Sequence, residues 1–250
     1  MIDLFLVGIG TGDPEHLTLG AIRTLEGADL ILLPRKGGEK ADLLDLRKTI
    51  CTDVLRASVR VAEFDMPVRD ASGTYLDGVN SWHDAIAAEW TRQIEAHLPG
   101  GSGRVALMVW GDPSLYDSTL RIAERLSAAG TQVRTHVVPG ITSLQLLTAA
   151  HAIPLNTLGG PVTITTGRKL REGGWPSGAE RMAVMLDGDC AFLELPRDGL
   201  HIWWGAYLGM AQQILDAGAV AECGARIREA RGTARAEHGW IMDTYLLEYR

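Results

Sequence analysis

The stretch Leu4-Phe-Leu-Val-Gly-Ile-Gly-Thr-Gly-Asp-Pro-Glu-His-Leu-Thr18 sends a short apolar run straight into three alternating glycines, Gly8, Gly10 and Gly12, closed by Asp13 and Pro14. An apolar run of this length bounded by glycine reads as a buried strand, and Leu19, Ile22 and Leu25 beyond it keep helical spacing. The order is strand, glycine loop, helix. Glycine at alternate positions lets the backbone take positive φ and lets a ligand lie close to the amides. The dinucleotide fingerprint G-x-G-x-x-G nevertheless fails. Its third glycine would stand at position 13, where Asp13 sets a carboxylate in the place of a pyrophosphate at the helix N-terminus. The next strand, residues 30–33, runs into Pro34-Arg35 and brings no acid for a ribose. The loop therefore suits a ligand without phosphate, or is a βα turn that binds nothing.

The other 235 or so residues set the frame. A chain of 250 residues, 46% hydrophobic and 22% charged, can bury a core as one large or two ordinary domains. Its net charge of -7 comes with no basic block, which disfavours nucleic acid or an anionic membrane as the main partner. Asp3 stands where a signal peptide would carry positive charge, and no apolar run approaches the roughly 20 residues of a spanning helix. A cytoplasmic protein is expected. Cys51, Cys190 and Cys223 lie far apart, which fits reduced thiols and offers no metal spacing. His16, His83 and His151 are scattered and read as packing or surface residues, so no metal site is expected.

Further along, residues 42–50 look helical, Val59 and Val61 suggest a short strand, and a turn-rich stretch runs to Asn80. Trp82, Ile86, Trp90, Ile94 and Leu98 recur every four residues and form the core-facing stripe of a helix, although its tryptophans could instead stack on a flat ligand. Residues 104–110 form a continuous apolar strand of the parallel-sheet kind, ending in Gly111-Asp112-Pro113-Ser114-Leu115-Tyr116. After a helix that stops at Gly130, residues 132–138 form a strand ending in Pro139-Gly140-Ile141-Thr142-Ser143, ahead of another helix. Three strands thus deliver glycine-bearing loops the same way. Ligands in open α/β sheets bind outside the carboxyl ends of the strands, which points to one shared site.

Residues 151–161 gain Pro and Gly and read as a linker between a domain of residues 1–155 and one of 160–250. In the second, residues 162–166, 182–186, 200–204 and 240–248 look like strands, and 210–217 and 222–236 look helical, which suggests a mixed sheet. Its loops include Gly167-Arg168-Lys169 and Asp187-Gly188-Asp189.

Taken together, Val7-Gly-Ile-Gly-Thr-Gly-Asp-Pro14 with Leu17-Thr18-Leu19, then Trp110-Gly-Asp-Pro-Ser-Leu-Tyr116, then Val138-Pro-Gly-Ile-Thr-Ser143 resemble the tetrapyrrole methylases, a family of S-adenosylmethionine-dependent methyltransferases. Order, spacing and length agree over essentially the whole chain. Phe64-Asp-Met-Pro-Val-Arg-Asp70, Tyr75-Leu-Asp-Gly-Val-Asn80 with Trp82-His83-Asp84-Ala85-Ile86, Trp204-Gly-Ala-Tyr-Leu-Gly209 and His238-Gly-Trp-Ile-Met-Asp-Thr-Tyr245 are similar to those members that methylate precorrin-5 at C-1 and release its acetyl group as acetate in aerobic cobalamin synthesis.

The resemblance implies two α/β domains with a cleft between them, the first sheet mainly parallel and the second mixed. It also implies S-adenosylmethionine in the cleft, leaving as S-adenosylhomocysteine, a precorrin over an open trough, and a homodimer. The cofactor would touch Trp110, Gly111, Asp112, Leu115, Thr142 and Ser143 from the first domain, and Leu186, Ala206 and Tyr207 from the second. Gly10, Thr11 and Gly12 would face the tetrapyrrole; Thr11 stands where the family often has proline, which puts its contact in doubt.

The residues agree with that chemistry. A sulfonium cation without phosphate is not repelled by Asp13 or Asp112, and methyl transfer to carbon needs in-line placement rather than a metal. Releasing acetate needs water added to a carbonyl and a group to take its proton. Asp13 and Tyr116 are the expected proton-transfer residues; alternatively Asp13 caps the following helix and Tyr116 packs on the cofactor. Arg35, Lys36, Arg168 and Lys169, on strand-end loops, are the expected partners of substrate carboxylates, with a solvated surface role as the alternative. Other functional readings are methylation of a precorrin at a different carbon, a nicotinamide-dependent oxidoreductase, and a tetrapyrrole carrier.

Overall fold

The structure, a computed structural model, describes residues 1–35, 41–69 and 75–250. The chain forms two compact units, Met1–Ile141 and Thr142–Arg250. The first contains β1 (Ile2–Gly8), α1 (Leu19–Glu26), β2 (Leu30–Arg35), α2 (Ala41–Thr49), β3 (Val61–Asp65), α3 (Tyr75–His97), β4 (Gly103–Val109), α4 (Thr119–Ala128) and β5 (Val133–Val138). Its strands pair in the order β3-β2-β4-β1-β5, all parallel.

Parallel strands joined by helical crossovers are covered on both faces, which is why β1, β2 and β4 read as apolar runs without alternation. Leu4, Leu6, Val105, Leu107 and Val109 pack on one face with Ile86, Trp90 and Ile94 of α3 and Ile122 and Leu126 of α4. Val7, Ile31, Ala106 and Met108 pack on the other with Ala21 and Leu25 of α1. The four-residue stripe of α3 is therefore core. The helix starts by Tyr75, inside the stretch expected to be turns up to Asn80. Thr18 starts α1, its hydroxyl accepting from the Ala21 amide at 3.0 Å.

The second unit contains α5 (Ser143–His151), β6 (Val162–Thr166), α6 (Gly167–Gly173), β7 (Arg181–Met185), β8 (Leu200–Ala206), β9 (Ile214–Ala219), α7 (Val220–His238) and β10 (Asp243–Tyr249). Its strands pair in the order β6-β7-β10-β8-β9; only β6 and β7 are parallel, so this sheet is mixed. The expected fold class, two α/β domains with a parallel and a mixed sheet, is the one observed.

Three details differ from the sequence reading. Residues 210–217 were expected to be helical, but β9 begins at Ile214. A turn, in which the Met210 amide donates to the Tyr207 carbonyl at 2.9 Å, reverses the chain, and β9 pairs antiparallel along β8 from Ile214 opposite Ala206 to Ala219 opposite His201. Tertiary pairing along a strand edge overrides local propensity there. Gly167-Arg168-Lys169 is the first turn of α6 rather than a loop. The boundary falls before α5 and not at residues 151–161, because α5 packs on β8 and β10, its His151 Nε2 lying 3.0 Å from the Trp204 carbonyl. Among the described residues no helix is long and apolar enough to cross a membrane.

Candidate active site

In the first unit β1, β4 and β5 end together, with Gly8 level with Val109 and Val7 with Val138. The loops beyond them touch backbone to backbone. A Cβ on Gly8 would lie 2.6 Å from the Gly140 nitrogen, and one on Gly140 would overlap the Gly111 carbonyl oxygen. Gly111, at φ +69°, turns its amide to the Gly10 carbonyl at 2.8 Å, so the first and second glycine loops form a small antiparallel bridge. Thr11 is buried beside it.

Asp112 braces the third loop against the second. Its Oδ1 accepts from the Ser114 amide at 2.8 Å and from the Ser114 hydroxyl at 2.5 Å, while Oδ2 accepts from the Gly140 amide at 2.8 Å. Burial alone would raise its pKa, but these donors outweigh it and hold the carboxyl below the usual range. Both carboxylate oxygens are thus engaged by donors of the protein itself.

Asp13 is half-buried, and its Oδ1 accepts from the Glu15 amide at 2.8 Å, capping the short 3-10 turn Pro14–His16. It does not cap α1, whose cap is Thr18. Tyr116 is 43% exposed in a left-handed backbone conformation, φ +50°, and partial burial raises its phenol pKa. Bulky residues seldom adopt positive φ, and where they do the strain is a pointer to function. The neighbouring Trp110 has its indole Nε1 buried with no hydrogen-bond partner. Leu115 is half-buried, its amide donating to the Asp112 carbonyl at 3.3 Å.

Arg35, at the end of β2, is bound to Asp65 at the end of β3 through Nε to Oδ1, 3.0 Å, and NH2 to Oδ2, 3.1 Å. A substrate carboxylate at Arg35 would have to compete with that pair. Lys36 lies outside the described residues.

One residue near these loops gave no sequence signal. Arg47 of α2 donates from Nε to the Met108 carbonyl at 3.2 Å; burial draws its pKa down to about 10, with Asp117 opposing. His83 of α3 was read as a surface or satisfied packing residue. It is buried and neither ring nitrogen has a partner.

In the second unit β6, β7 and β8 end on one edge, where β10 begins: Thr166 is level with Met185, Met185 with Thr244 and Ala206 with Asp243. Thr142 and Ser143, expected from the first domain, belong to this edge. The Ser143 hydroxyl lies 3.1 Å from that of Thr244, and Thr142 begins α5 with its amide donating to Gln145 Oε1 at 2.7 Å. Leu186, just past β7, is 63% exposed at φ +51°. Ala206 is buried. Tyr207 also has φ +51°, but its side chain is committed to the unit's interior, with the hydroxyl donating to the Trp240 carbonyl at 2.5 Å. Arg168 and Lys169 lie exposed on α6 beyond β6, Lys169 pairing with Glu172 at 3.0 Å.

The expected cofactor residues thus gather into two groups. Trp110, Gly111, Asp112 and Leu115 share one strand edge of the first unit, and Thr142, Ser143, Leu186, Ala206 and Tyr207 share one edge of the second. Missed altogether was a buried ionic cluster behind Leu186, formed by Asp187, Arg231, Asp243 and Tyr245. Arg231 sits on a helix with further arginines at 226, 228 and 235, and nothing in that spacing marks it as buried.

The sequence profile of the Tetrapyrrole (Corrin/Porphyrin) Methylases matches residues 3–223. Precorrin-6A synthase [deacetylating] of a Sinorhizobium species is 47% identical over 99% of this chain and 95% of its own length. The crystal structure of a cobalamin synthesis related protein (CobF) from Corynebacterium diphtheriae is 40% identical, with a TM-score of 0.84 over 100% of this chain and 99% of that one. A uroporphyrin-III C-methyltransferase from Thermus thermophilus, solved with S-adenosylhomocysteine, shares the fold at 20% identity and a TM-score of 0.59, over 98% and 92% of the two chains.

Proposed function

The chain belongs to the tetrapyrrole methylases, and from that premise we propose that it catalyses S-adenosylmethionine-dependent methylation of precorrin-5 at C-1 with loss of the acetyl group as acetate, giving precorrin-6A in cobalamin synthesis. The observation that carries this reading is the likeness to precorrin-6A synthase [deacetylating] along nearly the full length of both chains. The same reading takes the enzyme to be a cytoplasmic homodimer.

The local geometry fits a ligand with polar and apolar parts and no phosphate. The first unit offers an unpartnered buried indole N–H at Trp110 and glycine loops carrying Asp13 and Asp112, and the second, taken by itself, an exposed leucine held in a strained conformation at Leu186. In this reading S-adenosylmethionine is held by Trp110, Gly111, Leu115, Thr142, Ser143 and Leu186, with the backbone of Asp112, Ala206 and Tyr207. When bound it supplies an electrophilic methyl group. The chain's part is to orient the reacting carbon, which can account for much of the rate.

Gly10, Thr11 and Gly12 face the macrocycle in this scheme, and Arg35, Lys36, Arg168 and Lys169 meet its carboxylates. Acetate release adds water to the acetyl carbonyl and then breaks the bond from that carbon to the macrocycle. The electron pair stays on the macrocycle, and the water's proton passes to a base. Asp13, with one carboxylate oxygen left over from its cap, and the exposed phenol of Tyr116 are assigned to these proton movements.

The deciding experiment is mass spectrometry of the product formed from precorrin-5 and S-adenosylmethionine, which should show a methyl gained and an acetyl lost together. A methyl gained with the acetyl kept would favour methylation at another carbon, and an unchanged substrate would favour a carrier. In single-turnover assays Asp13→Asn and Tyr116→Phe should each slow acetate release by about a hundredfold. Near-normal rates in both would remove them from the chemistry.

A further inference from the structure

Behind the exposed Leu186 lies a set of charged and polar side chains that neither methyl transfer nor acetate release uses. The Arg231 guanidinium on α7 is buried and faces Asp243, with Nε 3.0 Å from Oδ2. Burial would lower its pKa, but Asp243 outweighs burial and holds it above the ordinary value. Its other nitrogens turn to main-chain carbonyls. NH2 donates to the Asp187 oxygen at 2.5 Å and NH1 to the Gly188 oxygen at 3.1 Å.

The Asp187 carboxylate holds the same turn from its other side. Its Oδ2 accepts from the Tyr245 hydroxyl and the Ala191 amide, both at 2.7 Å, and its Oδ1 from the Asp189 amide at 3.1 Å and Arg171 at 3.3 Å. The turn following β7 is thus fixed through both its carbonyls and its side chain. The residue that enters it, Leu186, has φ +51° and is 63% exposed. A leucine does not hold a left-handed conformation in the open unless its surroundings impose it. Asp243 carries the connection across the sheet, since its Oδ2 also accepts from the Trp204 indole at 2.9 Å, on the strand that leads to Ala206 and Tyr207.

We propose that Arg231 is a positioning residue for the cofactor: by holding the carbonyls of Asp187 and Gly188 it keeps Leu186 presented at the strand edge, and so sets the affinity for S-adenosylmethionine without touching it. This rests on the reading above, in which Leu186 is a cofactor contact. A purely structural ion pair would alter stability and leave the affinity of the folded protein unchanged.

The test uses the full chain and calorimetric titration with S-adenosylhomocysteine. Arg231→Lys keeps the charge but cannot reach two carbonyls and Asp243 together, and should weaken binding about tenfold. A second variant, Arg231→Met with Asp243→Leu, replaces the buried pair by apolar side chains, an exchange that folds tolerate, and should weaken binding similarly. In a Leu186→Gly background, where the backbone takes positive φ without help, Arg231→Lys should change affinity less than twofold.

Each result decides something. A wild-type protein that does not bind S-adenosylhomocysteine overturns the cofactor assignment and this inference with it. Binding by the wild type, matched by folded variants of unchanged affinity, overturns the positioning role alone. Equal weakening with leucine or glycine at position 186 overturns the route through that residue. Should Arg231→Lys not fold, the apolar double variant decides in its place.

Discussion

A methyl group on Gly8 would meet the Gly140 nitrogen at 2.6 Å, and one on Gly140 would overlap the Gly111 carbonyl. Both obstacles are backbone, so no side chain can swing aside, and the strand ends would have to part. Gly140→Ala should therefore cost about 3 kcal/mol, read as a lower urea midpoint with an unchanged slope. Asp112 makes a second claim at this scale. Burial pulls its pKa upward, yet the Ser114 and Gly140 donors hold it below the ordinary value of about 3.9. The unfolded chain thus takes up this proton first as pH falls. The stabilisation is whole above about pH 4 and is lost as pH drops through the lower folded-state value. Asp112→Asn should flatten that part of the acid limb in urea unfolding measured across it; an unaltered limb would place the dependence on other carboxylates. The Gly-Asp-Pro spacing marked Asp112 as belonging to a strand-end loop, but a single sequence does not say which way a carboxylate turns. The same limit applies to Tyr207, whose hydroxyl donates to the Trp240 carbonyl inside its own unit.

At the scale of elements, runs with one dominant signal were read correctly. The central strands β2 and β4 are covered on both faces and so read as apolar runs, and the stripe from Trp82 to Ile94 is the core side of α3. Residues 214–217 were misread because the edge of β8, far off in sequence, decides their conformation. α5 was read as part of the first domain because its packing partners, β8 and β10, come much later in the chain. His83 is the element-scale anomaly. It is 3% exposed on α3, with neither nitrogen bonded. Burial holds its pKa below the ordinary value, Arg125 and Arg121 add to the effect, and Asp84 and Asp117 oppose it. The unfolded chain is protonated first, so this residue costs stability as pH falls below about 6.5. His83→Leu removes both the unpaired nitrogens and that proton linkage. It should raise stability by about 1 kcal/mol at neutral pH and by more in mild acid, as followed by melting temperature across that range.

For the molecule as a whole, charge is the property with a consequence for the proposed substrate. The chain carries a net charge of -7, and the ligand assigned to it is a polycarboxylate. Among the described residues, three cations near the strand ends already have carboxylate partners: Arg35 with Asp65 and Glu63, Lys169 with Glu172, and Arg171 with Glu194 and Asp187. A net negative chain repels a polycarboxylate at long range, so the substrate is expected to approach against the field and then exchange partners at short range. Salt shortens the reach of that field to about 10 Å at 0.1 M while leaving close, partly buried contacts less affected. Association should accordingly speed up as ionic strength rises from about 0.01 M to 0.15 M, the reverse of an enzyme steered by a basic funnel. Dissociation should quicken as well, because arginine–carboxylate pairs at the surface are weakened by salt. Stopped-flow quenching of tryptophan fluorescence by the tetrapyrrole separates the two rates. An association rate that instead fell over this range would mean that cations at the site outweigh the acidic remainder of the chain.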